Sequence, residues 1–166
     1  MLNINIESIN EKVIVKAPKK ENVKLPIFES YIAATIKKLT QSIDDANGRY
    51  VEGKSYKNPK PSLNWKVVKA SDTDDLLKEE LVVWLKVGIK KIEIGGKKEV
   101  KVSASNLVSV LEVLKAEVES YLDNRESDNA KAFKAVAIQM AKPKGKSKDG
   151  NDFAYNSETD MYEEVK

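Results

Sequence analysis

Apolar and polar residues alternate near the start of the chain, in Leu2, Ile4 and Ile6 and again in Val13, Val15 and Ala17. Pairing Ile6 with Val13 sets Ile4 opposite Val15 and Leu2 opposite Ala17. All the apolar side chains then share a face, which predicts an opening hairpin. From Pro26 the period lengthens to that of a helix. Ile27, Phe28, Tyr31, Ile32, Ile36, Leu39 and Ile43 form one stripe, with Pro26 where a missing N–H costs nothing and Asn47-Gly48 as the stop. Alternation returns in Leu63, Trp65 and Val67, a strand that ends near Ser71.

Asp72 to Val87 carries two signals. Ser71 or Thr73 can cap a helix with Asp74 and Asp75 in its first turn, whereas the run from Leu81 to Val87 is rich in β-formers. A short helical turn followed by a strand from about Leu81 satisfies both. Ile92 and Ile94 then lead into Gly95-Gly96, and Val100 and Val102 lead out. A three-residue loop with a G1 bulge would pair Ile92 with Val100 and keep the faces unmixed. Ser105 is the expected cap of a second long helix, striped by Leu107, Val110, Leu111, Leu114, Val118, Tyr121 and Leu122. Asp123 to Asp128 breaks it. Ala130 to Met140 reads as helix or edge strand, with helix favoured by its alanines.

These elements predict an α+β fold, an antiparallel β-sheet packed on one face by two amphipathic helices. The domain is expected to span residues 1–140. Residues 141–166 read as a disordered charged C-terminal tail, basic in Lys142, Lys144, Lys146 and Lys148, then acidic from Asp149 onward. Few apolar residues are available there to offset the entropy of ordering it.

Composition narrows the chemistry. The 166 residues include no cysteine and no histidine, which removes disulfides, thiolate nucleophiles, the commonest general base and the commonest transition-metal ligand. The expectation is a non-enzyme with no cofactor and no metal site. Asp72-Thr73-Asp74-Asp75 has the carboxylates for Mg²⁺, but acids at a helix start serve its dipole more commonly. No apolar run has the length of a membrane span and the N-terminus lacks a signal-peptide pattern, so a cytoplasmic location is expected. Net charge is only +3, so any polyanion site needs local segregation of charge. Arg49 and Arg125 are the only arginines. Lysine acts as a point charge and lacks the fork that reads base edges, so readout of sequence is not expected.

Arg49 to Lys66, which begins with a long polar connection running to Pro61, is the main candidate site. Tyr50, Tyr56 and Trp65 would stack bases, and Arg49, Lys54, Lys57, Lys60 and Lys66 would track phosphates, the pairing by which single strands are held. Lys97 and Lys98 follow glycines that lead into a strand rather than opening a helix. They are therefore read as a lysine-tipped turn touching a phosphate backbone, not as a P-loop. In the tail, Tyr155, Met161, Tyr162 and Val165 offer apolar grip to a protein partner, while the surrounding acids would cover the basic loop when no nucleic acid is bound.

The run Gly96-Lys97-Lys98-Glu99-Val100-Lys101-Val102-Ser103, continuing into Leu107, Val110 and Leu114, resembles the closing strand and helix of the Whirly and transcriptional-coactivator single-stranded-DNA-binding fold. The resemblance covers about a third of the chain. It implies curved antiparallel strands, single-stranded DNA as partner and a homodimer formed through the helix. The acidic end is similar to that of bacterial and phage single-strand-binding proteins. It departs from their acidic-Pro-Phe ending by finishing Glu163-Glu164-Val165-Lys166. Two functions are therefore expected. One is sequence-tolerant single-stranded nucleic-acid binding, as a viral or mobile-element accessory with a regulatory acidic tail. The other is a small protein-binding module that masks a host protein.

Overall fold

The computed structural model describes residues 25–53 and 60–166. The opening hairpin expected over Leu2 to Ala17 lies outside them. The described chain is α+β. Its elements run α1 (Ile27–Ala46), β1 (Trp65–Lys69), β2 (Glu80–Val83), β3 (Leu85–Val87), β4 (Lys90–Ile92), β5 (Val100–Ser103), α2 (Leu107–Asp123), α3 (Asp128–Ala141), β6 (Phe153–Asn156) and β7 (Met161–Glu164). No described helix is long and apolar enough to cross a membrane.

The helices bury the stripes that the sequence marks. In α1 the buried positions include Phe28, Ile32, Thr35, Leu39, Ser42 and Ala46, and in α2 they are Leu107, Leu111, Leu114, Val118 and Tyr121. Steps of alternately four and three keep one seam facing a partner, and these two helices make the most extensive helix contact among the described residues. Small Thr35, Ser42 and Ala46 on the seam let the backbones approach. The region read as helix or edge strand is α3. Ser127 caps it by accepting from the Ala130 N–H at 3.1 Å, and it adds Phe133, edge-on to Phe28 with ring centres 6.2 Å apart.

The sheet is antiparallel in the order β1-β2-β5. Trp65 pairs with Val83 and Val67 with Leu81; on the other side Leu81 pairs with Val102 and Val83 with Val100. All of these side chains contribute to one core with the helices. Alternation continues past a kink at Trp84. Leu81, Val83, Leu85 and Val87 belong to the main core cluster, whereas Val82 and Trp84 are buried on the other side of the strand, apart from it.

Three local expectations are corrected and one is refined. Ile92 pairs with Leu85 rather than Val100, because the run from Leu81 to Val87 is long enough to serve β5 with its first half and β4 with its second. Gly95-Gly96 forms a tight two-residue turn with Ile94 opposite Lys97, both glycines at positive φ, where a Cβ would be strained. The α-helix ends before Asn47-Gly48, but the chain does not pass into a loop there. The chain continues as a wider π turn over Asn47–Val51, whose Arg49 is buried and whose Tyr50 packs on the core. Ser105 does not cap α2: its hydroxyl pairs with that of Ser103, and a 3₁₀ turn, Ala104–Asn106, precedes the helix.

The tail is the largest correction. Residues 141–166 are not a flexible segment; they close with the hairpin β6–β7, in which Tyr155 pairs with Tyr162, the rings 5.7 Å apart. Both tyrosines pack on the core, and the Tyr162 hydroxyl donates to the Ile138 carbonyl at 2.8 Å. The hairpin also caps α1. Pro26 at the start of α1 has no side-chain acceptor to offer, and Asp160, 132 residues after Phe28, supplies one. Its carbonyl accepts from the Ile27 N–H and its carboxylate from the Phe28 N–H, both at 2.8 Å. The segment needs few apolar residues because it packs on an existing core.

Candidate functional site

The fold divides the loop nominated for stacking. Lys54, Tyr56 and Lys57 lie outside the described residues. Arg49, Tyr50 and Trp65 turn inward. Trp65 is 2 % exposed, its indole N–H donates to the Ser42 carbonyl at 2.9 Å, and Tyr50 packs against it with ring centres 5.9 Å apart. A ring held this way has no free face for a base. Arg49 forms a two-pronged ion pair with Glu79, Nε to Oε1 at 2.8 Å and Nη2 to Oε2 at 3.0 Å, with the side chains only 5 % and 3 % exposed. The Tyr50 hydroxyl donates to the same carboxylate at 3.0 Å. Burial raises the Tyr50 pKa, and Glu79 adds to it; the hydrogen bond to Glu79 raises that of Arg49. The group is a buried polar joint between the end of α1 and the segment before β2.

A second buried joint involves Ser42. Its hydroxyl donates to Asn64 Oδ1 at 2.8 Å, Asn64 Nδ2 donates to the Trp84 carbonyl at 3.2 Å, and the Trp84 indole N–H donates to the Leu63 carbonyl at 2.9 Å. Asn64 thereby ties α1 and the start of β1 to the kink after β2.

In the tail, Tyr155 and Tyr162 serve packing. Met161 is half-buried opposite Asn156, and of the four nominated residues Val165 alone is well exposed. The hairpin that carries these residues packs on its own domain through the two tyrosines. At the other acidic cluster, Asp75 caps a single 3₁₀ turn by accepting from the Leu77 N–H at 3.1 Å. Ser71 and Thr73 instead accept from the Thr73 and Asp75 N–H groups within the loop.

The remaining nominated lysines, Lys60, Lys66, Lys97 and Lys98, keep solvent contact, and Lys66 is joined by residues that sequence reasoning missed. Register places Lys66 and Lys101 on either side of Val82, on the face of the sheet opposite the core. Lys86 and Lys91 stand directly opposite each other in β3 and β4. Their ammonium groups lie over the Trp84 ring, at 5.9 Å and 4.5 Å from its centre. Glu99 takes a hydrogen bond from Lys91. That bond holds the Glu99 carboxyl below its ordinary range, and the charges of Lys91 and Lys66 act in the same direction. The alternation of Leu81 to Val87 was a sequence signal for this face, but only the pairing of the strands assembles it.

Charge is segregated across the molecule. Between Trp84 and Ser103 six lysines stand against two glutamates, whereas α2 carries four acids and one lysine. Among the described residues the field is therefore more positive at β3 to β5 than at α2. An open groove of about 730 Å³ runs between β4 and the helices α2 and α3, lined by Leu85, Ile92, Leu114, Tyr121 and Phe133 and, at its edge, by Lys91 and Lys98. Val113, also lining it, is 67 % exposed. Comparison with family models, with curated proteins and with solved structures returns no match for this chain.

Proposed function

We propose that the chain is a sequence-tolerant single-stranded nucleic-acid-binding protein whose phosphate contacts lie on the outward face of the sheet. The observation that carries this reading is the directly opposed pair Lys86 and Lys91 in the two-stranded sheet β3–β4, with Lys66 and Lys101 flanking Val82 on the non-core face of the three-stranded sheet β1-β2-β5. Like charges opposite one another in an antiparallel pair are destabilising, so the cluster costs the fold something that a bound polyanion returns. Glu99 offsets part of it and leaves the face positive. Lysine point charges favour backbone over base edges, which agrees with tolerance of sequence.

The acidic residues 149–166 have no covering role in this reading, because the hairpin that carries them caps α1. Fluorescence anisotropy with labelled oligothymidylate tests the proposal. Four lysine–phosphate contacts on a single strand predict a log–log salt slope of about −3, and Lys86→Ala with Lys91→Ala reduces its magnitude by about 1.4. Absence of binding at low salt, or a slope that the double substitution leaves unchanged, overturns it.

A second reading, a protein-binding module, draws support from the apolar groove beside α2 and α3. It predicts salt-insensitive capture of a protein partner that Val113→Glu abolishes and that Lys66→Ala with Lys101→Ala, outside the groove, leaves intact.

A further inference from the structure

Trp84 sits among the lysines of the outward face, and its setting differs from that of the other tryptophan. Both are buried, but Trp65 belongs to the main core cluster and Trp84 packs outside it. The edge of the Trp84 ring is fixed by its indole N–H on the Leu63 carbonyl at 2.9 Å, and its backbone is held on both sides by Asn64. Lysine ammonium groups, by contrast, lie over the ring, that of Lys91 at 4.5 Å and that of Lys86 at 5.9 Å from its centre. Trp84 is only 5 % exposed, yet Lys91 is 31 % exposed and reaches solvent. A long, strongly hydrated lysine side chain exchanges partners readily, and a phosphate oxygen competes with an aromatic face for its charge.

We propose that Trp84 is the base-stacking residue of this face, covered in the free protein by Lys91 and Lys86 and uncovered when those ammonium groups pass to the phosphates of a bound strand. The inference rests on the nucleic-acid reading above and adds to it the origin of single-strand preference. Lysines alone would hold duplex as readily, whereas an indole face needs an unstacked base. The pre-anchored edge means that the two lysine chains move without rearrangement of backbone, Lys91 exchanging Glu99 for phosphate as it leaves the ring.

The test separates bases from phosphates. Two ligands of equal length are used, oligothymidylate and a strand of abasic deoxyribose phosphates, with binding read by anisotropy competition and stacking by tryptophan emission. In wild-type protein, oligothymidylate quenches emission and the abasic strand binds without quenching it. Trp84→Leu weakens oligothymidylate binding about tenfold and leaves the abasic strand unchanged, while Trp84→Phe retains most of the affinity. Trp84→Phe must also abolish the quench, which assigns the signal to Trp84 even if the leucine variant fails to fold. If wild type binds both strands equally and neither quenches, or if a leucine variant shown by circular dichroism to be folded loses both equally, the stacking role is overturned and the phosphate contacts stand. If neither strand binds, the nucleic-acid reading falls and the stacking role with it.

Discussion

Removing the carboxylate of Glu79 should be among the most damaging single substitutions in the described chain. Glu79 is 3 % exposed and receives two bonds from Arg49 and one from Tyr50, at 2.8, 3.0 and 3.0 Å. Glu79→Ala leaves a buried guanidinium without this counter-charge and the half-buried Tyr50 hydroxyl without this acceptor. Breaking one side of a buried ion pair costs about 3–5 kcal/mol, a large share of the roughly 5–15 kcal/mol that holds a domain folded. For a chain of this size the midpoint of thermal unfolding should fall by about 6–20 °C. Replacing both charges, in Arg49→Met with Glu79→Leu, should recover most of the loss, because the desolvation cost disappears along with the attraction. Adding Tyr50→Phe should recover a further ~1 kcal/mol by removing the stranded hydroxyl. Urea denaturation followed by circular dichroism measures wild type, Arg49→Met, Glu79→Leu and the double variant as one cycle, with Glu79→Ala beside it. A loss below ~1 kcal/mol for Glu79→Ala, or a double variant no more stable than the sum of the singles, would refute the buried-joint account. The same proteins test placement: if folded Arg49→Met lost oligothymidylate affinity as Lys91→Ala does, Arg49 would have to face the ligand after all.

Other outcomes follow from the same structure. Asp160→Ala removes the acceptor of the Phe28 N–H and of the Tyr155 hydroxyl, and should cost about 1–2 kcal/mol while speeding hydrogen exchange at Phe28; unchanged exchange there would argue against the cap. Gly96 sits at φ +84° with open space around a notional Cβ, so Gly96→Ala should cost about 1 kcal/mol from backbone strain alone. Gly88→Ala should cost more, because at φ +62° its Cβ would also meet Met140 and Tyr31 at 3.4 Å; urea midpoints of the two variants rank them. Burial, helped by the hydrogen bond to Asp160, pushes the Tyr155 pKa up from 10.0 to about 12. The folded state holds that proton more tightly, so the associated stability is intact below pH 10 and is lost as pH rises through 12. Tyr155→Phe should flatten this alkaline fall in denaturation midpoint.

Helix α2 and the seam of α1 were legible because their information is local: a stripe at steps of three and four specifies a buried face whatever it meets. The α+β class followed from the same local periods. Strand partners were not legible to the same degree. Ile92 and Val100 were set against each other by the shortest loop that kept faces unmixed, and the fold kept the faces while changing both partners. Alternation fixes which side of a strand is apolar, but several strands with the same alternation are interchangeable until one arrangement closes the core.

The candidate site was less legible still. Tyr50 and Trp65 combine apolar bodies with polar tips, a pattern shared by a stacking surface and a satisfied core, and the choice depended on Ser42 and Glu79 being near enough to bond them. Lys86, Lys91 and Lys101 looked like ordinary strand lysines, since charges far apart in sequence reveal no cluster. The acidic C-terminus misled in the opposite direction. By itself it lacks the apolar mass to fold, and that inference was sound for an isolated segment; packing Tyr155 and Tyr162 on a core built by others removed the premise. The amino-acid sequence by itself thus determined the helices, the in-and-out order of each strand and the absence of histidine and cysteine chemistry. Tertiary structure alone decided which aromatics are buried, which lysines share a face and that the tail caps α1, because each depends on pairs of groups brought within a few ångströms by chain closure.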